Sequence, residues 1–96
     1  MEVLKFKNPV FKRGNNLTVR RGIKWDIEKA WIDKGNGLLT CEITTVVMRF
    51  SDLTDADLAD EHDEKCRTVD GLYRVMRKVY PGFDRREIVT LVSFEM

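Results

Sequence analysis

The sequence has a single histidine, two cysteines and two prolines, and these shortages exclude several kinds of protein at once. One histidine with two cysteines far apart, Cys41 and Cys66, leaves no pattern for a zinc site of the usual Cys/His type. No metal or other cofactor is therefore expected. Two cysteines also make no disulfide scaffold, so reduced thiols are the default, with Cys41 read as a core residue of a strand. No apolar run approaches the eighteen or more residues of a membrane span, and residues 44–48 are too short even for a signal-peptide core. Residues 1–7 alternate like a strand rather than a targeting segment. The expected place is the cytoplasm, with no membrane partner.

What is present is ordinary globular material: 96 residues, 43% hydrophobic and 34% charged. That is one domain, spanning residues 1–96, with room for a single modest core. The net charge of +1 hides a dipolar arrangement. Residues 1–25 hold seven basic groups against Glu2, residues 51–64 hold seven acids and no Lys or Arg, and residues 65–96 return to seven basic and four acidic. Such a distribution suits either two solvated faces or a basic surface for phosphates, with the acidic segment turned elsewhere.

Residues 3–7 read as a strand. Asn8 and Pro9 then form a helix-start pattern, N-cap followed by proline at the first helical position, for a short helix ending near Gly14. Residues 17–20 alternate and are β-branched, predicting a second strand. A third is expected over residues 27–32, with Trp31 in the core, and residues 33–37 form a hairpin-type turn. Residues 38–50 are long enough to bend or to run past two neighbours.

The period then changes. Thr54 and Asp57 make an acidic capping box that opens a short helix reaching about His62. His62 itself reads as a surface or capping histidine. A second helix follows Thr68, with Leu72, Val75, Met76 and Val79 on one stripe, and Tyr80, Pro81 and Gly82 stop it. Residues 87–95 are a closing strand. Arg74, Arg77, Lys78, Arg85 and Arg86 are solvated by default and matter only if they adjoin Lys12, Arg13 and Lys24 in space.

Residues 11–14 followed by Leu17, Thr18, Val19 and Arg20 are similar to the glycine and Thr-x-Arg strand of ASCH domains, a branch of the PUA-like superfamily. Residues 50–54, the acidic segment, residues 72–83 and the closing strand continue that resemblance along nearly the whole chain. The implied fold is α+β, a small and mostly antiparallel PUA-like barrel with a short N-terminal helix and two helices before the last strand. The implied function is binding of RNA or a nucleotide in a basic cleft, with Arg20 gripping an anion through its bidentate fork. Lys12, Arg13 and Lys24 are candidate cleft cations, and Trp25 a candidate for stacking on a base.

In a small bacterial subgroup of that family the cleft hydrolyses acetylated cytidine nucleosides. The resemblance then assigns Thr18 as nucleophile and places the acid near Glu64, although counting back from Tyr80 lands on Lys65. The lysine base of that subgroup falls on Asn15, which cannot take a proton, so the enzymatic reading lacks its base at the expected place and leaves Lys12 or Lys24 to reach in from a neighbouring loop. A protein-interaction module built on the acidic residues 51–64 is the third alternative.

Overall fold

The computed structural model describes residues 2–23 and 29–96. Five strands form one sheet: β1 (Glu2–Leu4), β2 (Asn15–Arg21), β3 (Lys29–Asp33), β4 (Leu38–Arg49) and β5 (Ile88–Glu95), in the order β1-β3-β4-β5-β2. One α-helix, α1 (Val69–Val79), and three 3-10 turns fill the interval between β4 and β5. The fold is thus α+β. Three of the four ladders are antiparallel, and β1 joins β3 in parallel. Among the described residues no ladder joins β1 to β2, so the sheet is open there rather than closed into a barrel.

The long β4 does run past two neighbours. Its first part pairs with β3, aligning Cys41 with Ala30, and its second part pairs with β5, aligning Ile43 with Phe94. Alternation along β5 then divides the core between two faces. Val89 and Leu91 face Leu17, Val19, Phe50, Leu72, Met76 and Phe83, while Val92 and Phe94 face Leu4, Ala30, Ile32, Cys41 and Ile43. Trp31 is not a core residue. Ala30 and Ile32 are fully buried, so the residue between them points outward and stays 36% exposed. It lies beside Val3, its register partner, on the outer face.

The short helix expected after Asn8 does not form. Its backbone groups find tertiary partners instead. The buried Asn16 side chain accepts from Lys12 N at 3.1 Å and donates to Lys12 O at 2.8 Å and Gly14 O at 3.1 Å. Gly14 and Met96 exchange both backbone hydrogen bonds, which ties the same loop to the end of β5. With those groups committed, Lys12 and Gly14 cannot join an intrahelical ladder.

The capping box at Thr54 and Asp57 does form, but it opens a single 3-10 turn, Asp55–Leu58. The chain beyond leaves the helical path because residues 60–62 bond to the edge of β2: Leu17 N donates to Asp60 O, and His62 N donates to Leu17 O. One α-helix, not two, therefore precedes the last strand.

Helix α1 starts as expected, with Thr68 Oγ1 accepting from Gly71 N and Asp55 Oδ1 accepting from Val69 N. Leu72 and Met76 are buried, and Val75 and Val79 of the same stripe are half-buried. Gly71 is required by close approach: a Cβ there would stand 2.1 Å from Lys65 O, a backbone atom. Gly71→Ala is expected to destabilise the fold by about 1–3 kcal/mol through overpacking, although alanine is the better helix former. Urea unfolding of the two proteins measures it. A variant as stable as the parent would show that the contact yields freely.

Candidate functional site

β2 is an edge strand, and only part of its edge is covered. Leu17 bonds outward to residues 60–62, so the alternation of an antiparallel strand turns the N–H and C=O of Val19 the same way. There the edge opens into a cleft of about 400 Å³. Thr18, Val19 and Arg20 form one wall, and residues 5–8 a second. Residues 61–63 close the end, and the half-buried stripe of α1 with Tyr80 forms the apolar floor.

Thr18 and Arg20 share a face of β2 and both reach this cleft, as the spacing implied. Arg20 Nη2 donates to Lys5 O at 2.9 Å, and the guanidinium lies 4.8 Å from the centroid of the Phe6 ring. Burial lowers its pKa, opposed by the charges of Tyr80 and Glu61. Phe6 meets Phe11 edge-on at 5.0 Å and His62 at 4.8 Å. These rings fix the cleft wall by packing.

The end wall holds a pair that the sequence reading did not identify. Glu61 is 2% exposed and His62 8%. His62 is therefore not a surface histidine. Its Nδ1 lies 3.0 Å from Val10 O, an atom that only accepts, so Nδ1 carries a proton. The other nitrogen, Nε2, stands 3.2 Å from Glu61 Oε1. Asp63 N donates to the same Oε1 at 3.3 Å, and Arg67 Nε donates to the Glu61 backbone carbonyl at 2.9 Å.

Burial pushes the Glu61 carboxyl up to about 8, against the pull of the Asp63 amide, Arg20 and Arg67. Burial likewise lowers His62, despite its bond to Val10 O. At pH 7 the two are a neutral acid beside a neutral imidazole, not an ion pair. Nothing in the local sequence signals this, because the rings that bury the pair come from residues 6 and 11.

The remaining sequence candidates lie elsewhere. Glu64 is exposed in the 3-10 turn Glu64–Cys66 and does not line the cleft, whereas Glu61 does. Lys12 points to Asp60, with Nζ 2.6 Å from Oδ1, and Arg13 is exposed outside the cleft. Asn15 donates to Asp60 Oδ2 at 3.0 Å and does not line the cleft. Lys24 and Trp25 lie outside the described residues. The lysines that line the cleft are Lys5 and Lys7, which leave strand geometry after Leu4.

Cys66 also lines the cleft, but burial raises its thiol to about 12, which removes the thiolate needed of a nucleophile. Among the described residues no three His, Cys, Asp or Glu side chains converge on a point suited to a metal ion. No helix among them is long and apolar enough to cross a membrane.

The acidic segment is largely occupied internally. Asp55 caps α1, Asp57 caps its own turn, Asp60 holds Lys12 and Asn15, and Asp63 accepts from Lys65 N. Arg74, Arg77 and Lys78 border a separate groove on the far side of α1, which neither Lys12 nor Arg13 adjoins. Compared with protein-family models, with curated proteins and with solved structures, the chain matches none of them.

Proposed function

We propose that the chain is a PUA-like domain of the ASCH type that binds RNA or a nucleotide in the cleft along the edge of β2. The observation that carries the reading is the placement of Arg20 beside Thr18 in a cleft that Lys5 and Lys7 also line. Three cations around an apolar floor suit a ligand with a phosphate at one end and a flat base at the other. On this reading the five-stranded sheet, open between β1 and β2, stands where the family has its barrel.

Fluorescence anisotropy with labelled mixed-sequence RNA tests it. Binding should weaken steeply as salt rises, because phosphate contacts release counterions. Arg20→Ala should weaken binding by about 1.5–3 kcal/mol, the worth of hydrogen bonds to a charged group, while Thr18→Ala changes it little. An Arg20→Ala protein that binds like the parent, with binding abolished by Arg74→Ala or Arg77→Ala, would move the site to the other side of α1.

A second reading, hydrolysis of acetylated cytidine nucleosides, gains support from one observation. Thr18 shares its cleft with a carboxyl that burial pushes up to about 8, the protonated acid that such a hydrolysis needs for its leaving group. Incubation with N4-acetylcytidine should then release cytidine and acetate, and Thr18→Ala should stop it. Absence of cytidine after long incubation removes the reading.

A further inference from the structure

Four surface cations of this fold each hold a carboxylate. Lys12 meets Asp60 at 2.6 Å, Arg21 meets Glu87 at 2.6 Å, Arg85 meets Asp70 at 3.6 Å and Arg86 meets Asp84 at 3.1 Å. The far side of α1 breaks that pattern. A groove of about 670 Å³ there is lined by Lys65, Arg74, Arg77 and Lys78, and among the described residues no acid lines it.

The side chains of Lys65, Arg74 and Lys78 have no hydrogen bond or ion pair among the described residues, and Arg77 reaches only its own helix, donating to Tyr73 Oη at 3.4 Å. The acids of the flanking segments face other partners. Asp70, one turn before Arg74, meets Arg85; Asp63 accepts from Lys65 N, and Asp55 from Val69 N. Arg74, Arg77 and Lys78 fall at i, i+3 and i+4, so like charges stand together on one ridge of α1, an arrangement that weakens a helix. A chain with 16 acids for 17 Lys and Arg has the means to neutralise such a ridge and does not.

The position of the ridge identifies what it suits. Val75 lines this groove and also the cleft along β2, so the two recesses meet over its half-buried side chain. A mononucleotide in the cleft has nothing to place on the ridge. A strand with one base in the cleft carries its flanking phosphates across Val75 to cations that lack a counter-charge. A base already paired in a duplex cannot enter the cleft at all.

We infer that the cleft receives one unpaired nucleotide of an RNA strand, and that Arg74, Arg77, Lys78 and Lys65 hold the phosphates flanking it. The inference rests on the RNA-binding reading above and narrows its ligand from a nucleotide to a single strand. Arg20 and the apolar floor take the nucleotide, while the ridge grips backbone and reads no sequence.

Anisotropy with a labelled 12-nucleotide RNA of mixed sequence, from 50 to 200 mM salt, and calorimetry with the four 5′-nucleoside monophosphates test this. Replacing Arg74, Arg77 and Lys78 together by alanine should flatten the slope of log affinity against log salt by about 2, at roughly 0.7 for each phosphate contact of a single strand. Strand affinity at 0.1 M salt should fall about 100-fold. Monophosphate affinity should not change. All three side chains are exposed and alanine is the best helix former, so the variant keeps its fold. Arg13→Ala, which removes an exposed charge that lines neither recess, should leave the slope unaltered.

A triple variant with the parent's salt slope overturns the inference, as does a monophosphate affinity that falls together with that of the strand. So does Arg13→Ala, if it flattens the slope as much as each ridge charge does. If monophosphates bind and the strand binds no more tightly, the ridge is wrong and the nucleotide reading of the cleft survives. If neither strand nor monophosphate binds at 50 mM salt, both fall together.

Discussion

Phe50→Ala should remove about 3–5 kcal/mol of folding free energy, a large part of the roughly 5–15 kcal/mol expected of a domain this size. Phe50 is fully buried at the point where β4 gives way to the turn Phe50–Asp52. Its ring meets Phe83 edge-on at 5.3 Å and Tyr73 at 5.7 Å, so it joins the chain after β4 to α1 and to the loop before β5. Its amide donates to Glu87 O at 2.9 Å, which fixes the backbone and limits collapse around a truncated side chain. A cavity should therefore persist, and cavities are what make such truncations costly. Trp31→Ala is the control: a larger side chain, but 36% exposed on the outer face, and expected to cost about 1 kcal/mol or less. Urea unfolding of both variants decides the matter. Equal losses would mean that the core is not centred where the burial places it.

The elements that rest on local chemistry could be read in advance. The stripe from Leu72 to Val79, the Thr68 cap and the stop at Tyr80 lie within one helix, and α1 follows from them. The same holds for Thr18 and Arg20, which two-residue alternation puts on one face. Where distant residues intervened, local signals failed. Asn8 and Pro9 carry a good helix start, yet Asn16 and Met96 take the backbone groups that the helix would need. Alternation alone does not say which phase of residues 27–32 faces inward: it is Ala30, paired with Cys41, and Ile32 that are buried, and Trp31 between them points out. Glu61 and His62 sit in an acidic stretch that looks solvated. Only the bridge from Leu17 and the rings of Phe6 and Phe11 turn them inward.

That inward turn has a consequence for stability. The Glu61 carboxyl titrates at about 8 in the fold, against 4.5 as its ordinary value. Between those values the folded chain keeps a proton that the unfolded chain has released. Unfolding therefore sheds a proton, and stability must fall as pH rises. Glu61's contribution is fully present below about pH 4.5 and is lost as pH passes through about 8. The difference corresponds to about 3–5 kcal/mol at roughly 1.4 kcal/mol for each pH unit. Asp60, Asp84 and Glu87 act in the opposite sense, being held below their ordinary values by Lys12, Arg86 and Arg21 respectively. Their contributions fade only as pH drops into the acid range. Below about 6.5 the buried neutral His62 opposes Glu61, because the unfolded chain takes up a proton there that the fold refuses, so stability should decline from about neutral pH toward pH 9 rather than rise steadily into acid. Glu61→Gln keeps the shape of the side chain and an oxygen for the Asp63 amide, but it cannot ionise. At pH 5 it should match the parent, and at pH 8.5 it should exceed it by several kcal/mol. Urea unfolding at pH 5, 7 and 8.5 gives both curves. Parallel pH profiles for the two proteins would show that Glu61 is not held as a neutral acid in the fold, and the cleft would then present a carboxylate to whatever it binds.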